Sequence, residues 1–161
     1  MAWIESTAFS VWMRESPSFF AFPLMLSLHA IGMGLAAGIS SALAMRILGA
    51  ARAIPVRELR RFFSVMWLGF WINALSGVAL FIAYPTKALT NPVFALKLSL
   101  IGVALVLSRA TTRRVFGAEA TAPAAAPAVR RLAVGSLICW TAAIVAGRLL
   151  AYTYRHILAG M

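Results

Sequence analysis

Four long apolar runs, at about 23–47, 62–84, 93–111 and 132–157, are separated by short segments that carry most of the charge. Each is close to or above the roughly 20 helical residues needed to cross a hydrocarbon core of about 30 Å. Inside a bilayer the backbone must satisfy its own hydrogen bonds, and no run alternates as a barrel strand would, so each run is read as a helix. The expected fold is all-α: an integral membrane four-helix bundle in a single transmembrane domain, 1–161. Composition agrees, with 62% hydrophobic and 12% charged residues, against about half and a quarter in a soluble domain.

The cationic residues fall on one side of this layout. Arg46, Arg52, Arg57, Arg60 and Arg61 surround the first connection, and Arg109, Arg113, Arg114, Arg130 and Arg131 the second. Arg14, Lys87 and Arg155 lie on the other side, offset by Glu5 and Glu15. Short loops rich in Lys and Arg remain cytoplasmic. The expected location is therefore a bacterial inner membrane, multi-pass, with both termini periplasmic. The net charge of +11 is a topology signal on this reading, and nucleic acid is not an expected partner; the lipid bilayer is.

Outside the spans, residues 2–14 interleave Trp3, Ile4, Phe9 and Trp12 with Glu5, Ser6, Thr7, Ser10 and Arg14. This pattern predicts a short amphipathic helix at the interface, with Trp at headgroup depth, and it lacks the basic start of a cleavable signal peptide. Residues 112–130, centred on an Ala- and Pro-rich stretch, read as a cytoplasmic linker.

Four acidic residues, no Asp, two His and one Cys exclude a carboxylate-rich metal site, a zinc cluster and a disulfide scaffold. Attention falls on polar groups within the spans, which are costly in lipid and tend to face the bundle interior. Arg148 lies roughly 14 Å and His29 roughly 9 Å from the periplasmic end at 1.5 Å rise per residue. Met25, His29 and Met33 recur every four positions and share a face, a soft set suited to haem iron or Cu(I), although Met is also ordinary core filler. Arg148, Tyr152 and His156 also share a face, suited to an anionic group. Lys97 enters the third span a turn below the interface, where its amine can snorkel, and Asn73 is placed to bond a neighbouring helix. Gly32, Gly34, Ala37 and Gly38 form a smooth strip for close packing or a flat macrocycle. The Arg-rich half is expected to hold almost nothing polar beyond its flanking arginines.

The ordered motifs Trp3-Ile4-Glu5 with Thr7, Arg14-Glu15-Ser16, Phe22-Pro23, His29 with Gly32, Arg46-Ile47-Leu48-Gly49, Gly69-Phe70, Gly77, Asn91-Pro92 with Phe94 and Lys97, and Gly147-Arg148 with Ala151-Tyr152 cover nearly the whole chain. Their order resembles a family of small bacterial inner-membrane proteins catalogued as domain-of-unknown-function family six-six-four-four. Two departures stand out: Met45 where that family often has an acid, and Leu107-Ser108-Arg109 where it often has a His. The resemblance implies the four-span fold and no established activity.

Three functions follow as expectations. The first is a non-catalytic membrane subunit or scaffold with a polar site in the periplasmic half of the bundle. The alternative is a b-type haem electron-transfer protein serving a periplasmic or membrane redox partner, with His29 as axial ligand and Arg148, Lys97 and Tyr152 near the propionates. His156 is the only second histidine, and it lies roughly 6 Å off in depth by helical rise. A small transporter, or a Cu(I)-handling protein using Met25, His29 and Met33, is weaker. No hydrolase or transferase constellation is present.

Overall fold

The computed structural model describes residues 2–117 and 126–159, with residues 151–159 described as helix backbone only. Among the described residues there is no strand. Two short helices, α1 (Ala2–Glu5) and α2 (Ala8–Glu15), precede α3 (Phe22–Leu48). A 3-10 segment, Val56–Phe62, leads into α4 (Phe63–Ala83), followed by the single turn α5 (Pro85–Leu89), then α6 (Pro92–Phe116) and α7 (Pro127–Ala159). Four helices are long and apolar enough to span a membrane. Their outer faces fit lipid rather than water, since Leu75, Val106 and Ile138 are 68%, 67% and 62% exposed. The all-α four-helix membrane bundle expected from the apolar runs is the observed fold.

Local chemistry sets the helix ends. Pro23 and Pro92 occupy first-turn positions, where a missing N–H leaves no bond unmade. Asn91 caps α6 by accepting from the Val93 N–H at 3.0 Å. Gly49 ends α3 with φ +108°, a conformation that suits glycine, and Ala50 N–H then reaches back to the Met45 carbonyl at 2.9 Å. α6 continues past residue 111 to Phe116, and α7 begins at Pro127 rather than near 132. The amphipathic N-terminal segment is two helices, because Thr7 breaks the first and caps the second.

The chain forms two hairpins, α3 with α4 and α6 with α7, joined where α3 packs on α7; α4 and α6 scarcely approach along their backbones. One apolar cluster, Leu43, Ala44, Ile47, Val129 and Ala133, fills the Arg-rich end. A second, Ala36, Ala37, Ala104 and Trp140, fills the middle. The N-terminal helices sit at the Arg-poor end, where α4 leaves carbonyls without helical partners. Arg14 donates to the Ala83 carbonyl at 3.0 Å and to the Glu5 carbonyl at 2.9 Å, while Ser10 donates to the Ile82 carbonyl at 2.9 Å. Glu5 accepts from the Thr86 N–H at 3.3 Å, and Thr86 holds the exposed Glu5 carboxyl below its ordinary pKa.

The expected smooth strip on α3 divides into two roles. A Cβ at Gly32 would lie 2.5 Å from the Asn73 nitrogen and 2.6 Å from the Gly69 oxygen, both backbone atoms of α4. Ala37 is buried in the middle cluster, while Gly34 and Gly38 meet nothing within 4 Å. Close helix contact therefore uses Gly32 alone among these glycines. Gly32→Ala is expected to cost about 1–3 kcal/mol of stability by forcing α3 from α4. Gly34→Ala is expected to stay within about 0.5 kcal/mol. Unfolding titrations in detergent measure both, and equal effects would remove the assigned difference between the two faces.

Candidate functional site

His29 leaves α3 one turn before Gly32, so the close approach of α3 and α4 brings its ring against the α4 backbone. Nδ1 lies 3.0 Å from the Asn73 carbonyl. That oxygen can only accept, so the contact is a hydrogen bond in the tautomer with its proton on Nδ1; the Asn73 amide nitrogen also lies 3.3 Å from Nδ1. Lys97 Nζ, arriving from α6, lies 3.2 Å from Nε2 and donates to it in that tautomer. Asn73 returns the interaction by donating its side-chain amide to the His29 carbonyl at 2.7 Å. Ser76 donates to the Ile72 carbonyl at 2.6 Å and lies 3.4 Å from Nδ1. Gly77 gives the imidazole its space, since a Cβ there would stand 3.1 Å from Cε1.

Four polar side chains from three helices thus meet within the Arg-poor half of the bundle. Asn73 bonds a neighbouring helix as its position suggested. Lys97 differs from the snorkelling expectation: its chain turns inward and lies against Gly147, with Cε 3.5 Å from the position a Cβ there would take. Arg148, the next residue, is exposed on α7 and makes no side-chain hydrogen bond or ion pair with the described residues. The structure therefore brings Lys97, and not Arg148, to His29. Side chains of Tyr152 and His156 lie outside the described residues. Met33 packs against the middle apolar cluster, and Met25 is half-buried on α3.

No group of three or more His, Cys, Asp or Glu that could hold a metal occurs among the described residues. A haem needs the imidazole lone pair for iron, and Lys97 already takes that position on Nε2. As arranged, His29 and its neighbours form a chain of donors and acceptors across three helices.

A second polar group, which composition did not reveal, lies toward the Arg-rich half, where little polarity was expected. Ser108 and Ser136 are 2.9 Å apart, and buried Trp140 donates to Ser108 at 3.3 Å. Nearby, Ser40 donates to the Met66 sulfur at 3.2 Å. Serine in an apolar helix looks like small filler until the facing helix is known. Here the bonds satisfy buried groups that would otherwise be costly in lipid.

Fold and site together define a polytopic α-helical membrane protein with an internal His–Lys contact. Comparison with protein-family models, with curated proteins and with solved structures finds no match to this chain. The tautomer assignment can be checked by nitrogen NMR on histidine-labelled protein, using a His156 variant to assign His29. Nδ1 is expected to bear the proton and Nε2 to show the pyridine-type resonance; the reverse pattern would contradict the bonding scheme.

Proposed function

We propose that this protein is a non-catalytic membrane subunit or scaffold, and that its polar site holds its two helical hairpins in register. The observation that carries this reading is the 3.2 Å contact of Lys97 Nζ with His29 Nε2. It joins α6 of one hairpin to α3 of the other, and it uses the imidazole lone pair that a cofactor would need. Every polar group of the cluster then has a protein partner, which suits a packing device better than an open binding site. A lysine in a span is costly when unpaired and tolerable when it faces the interior with an acceptor.

The reading extends to a bacterial inner membrane with the Arg-rich end cytoplasmic and both termini periplasmic, supported by the positive-inside distribution. It also includes membership of domain-of-unknown-function family six-six-four-four, supported by the ordered motifs. Topology can be tested in a Cys139→Ala background. Ala53→Cys should resist a membrane-impermeant maleimide in intact spheroplasts, and Ser6→Cys should react; the opposite labelling would invert the orientation.

A double-mutant cycle of His29→Ala and Lys97→Met tests the packing role. A coupling of about 0.5–1.7 kcal/mol is expected, the range of interhelical bonds measured in membranes. The purified protein should show no Soret band before or after dithionite. Additive effects of the two substitutions would overturn the proposed linkage, and a Soret band lost in His29→Ala would establish the haem alternative.

A further inference from the structure

Where α4 and α6 diverge, near the Arg-rich end, they leave a groove of about 210 Å³. Its apolar walls include Phe63, Met66 and Trp67 from α4 and Leu105 from α6, and Arg109 and Arg113 also line it. We infer that this groove binds an anionic phospholipid, its phosphate held between the Arg109 and Arg113 guanidiniums and part of one acyl chain lying along the apolar walls.

Three independent features converge on that ligand. The first is depth. Counted from Pro92, Arg109 lies roughly 26 Å and Arg113 roughly 32 Å along α6, bracketing the edge of a hydrocarbon core about 30 Å thick. Phosphates of one leaflet occupy that level. The second is charge: the only acidic residue described at this end, Glu58, sits 4.0 Å from Arg57 and 3.8 Å from Arg61. Neither Arg109 nor Arg113 forms an ion pair with a described residue, and both are exposed. The third is shape. At about 210 Å³ the groove is far larger than the roughly 10–15 Å³ that admits a single water by the same measure, and it has room for a segment of acyl chain.

The arginines are also arranged for phosphate. They stand four residues apart on one helix and share a face. The Arg109 guanidinium lies 5.9 Å from the centre of the Trp67 ring, which orients it across the groove. Phe63 meets Phe116 edge-on at 5.7 Å, joining α4 to the end of α6 without filling the space between them. Guanidinium pairs recognise phosphate oxygens through parallel, charge-assisted hydrogen bonds. Basic pockets between spanning helices suit lipid headgroups in the same way.

Native mass spectrometry of the full chain in detergent, titrated with phosphatidylglycerol or phosphatidylcholine, tests the proposal. The wild-type protein is expected to retain phosphatidylglycerol in preference to phosphatidylcholine. Arg109→Gln with Arg113→Gln should weaken that retention by about tenfold or more. Arg130→Gln with Arg131→Gln removes the same charge outside the groove and should leave it unchanged. Leu105→Trp, which fills the groove and keeps both arginines, should also weaken retention. Circular dichroism and elution volume verify folding of each variant. Equal losses from the two arginine pairs, no preference between the lipids, unchanged retention in Leu105→Trp, or full displacement by soluble glycerophosphoglycerol would each overturn the inference.

Discussion

Backbone contact between α3 and α4 governs what the rest of the bundle can do. Gly32 and Gly69 carry no side chains where the helices cross, and a Cβ on Gly69 would lie 2.5 Å from that of Leu35 and 3.1 Å from the Gly32 oxygen. The hydrophobic effect does not drive helices together inside lipid, so close packing and polar bonds must do so. The same crossing places His29 beside the Asn73 carbonyl, and Gly77 accommodates its ring. Widening the gap by a side chain would pull the imidazole from that carbonyl.

The second hairpin is assembled differently. Buried Ala104 and Ser108 of α6 face a helix carrying buried Ala133, Ser136, Trp140 and Ala143. Its internal bonds join two hydroxyls and an indole, where the first hairpin joins an imidazole and an asparagine. α3 and α7 connect the hairpins, so α4 and α6 are left on the outside of that junction with space between them. Lys97 reaches from α6 to α3 at the Arg-poor end, while the groove opens beside α6 at the opposite end. One helix therefore contributes to both features.

The spans were legible because length and apolarity are properties of a run of residues and need no partner. Their ends were less so. Residues 112–116 extend α6 beyond the apolar run, Thr112, Arg113 and Arg114 interrupting the hydropathy while Val115 and Phe116 pack against the Arg-rich-end cluster, a contact that only the folded chain reveals. The polar site was legible residue by residue but not in its pairing. Helical rise gives depth, which brought His29 and Arg148 to similar levels, but it gives no rotation of one helix against another. Rotation decides that Gly147 faces Lys97 and that Arg148 stands exposed. The pairing of Ser108 with Ser136 is not legible for a related reason: a hydroxyl's importance inside lipid depends on finding another across the interface.

Charge compensation links these details. The chain has 15 Lys and Arg residues against 4 acids, so carboxylates cannot neutralise most of its cations. Several instead use backbone oxygen. Arg14 binds carbonyls at the end of α4, Arg46 binds the Ile54 and Arg52 carbonyls of the following loop, and Arg52 binds the Gly49 carbonyl at 3.2 Å. Cations near helix C-termini are favoured there by the unpaired carbonyls and the dipole. Lys97 uses an imidazole lone pair. Each of these solutions needs an acceptor within the fold. Arg109 and Arg113, on the exposed side of α6, have no such acceptor among the described residues. The one-sided distribution of arginine from which the proposed orientation is read is thereby also what makes the proposed anionic lipid a fitting neighbour for α4 and α6.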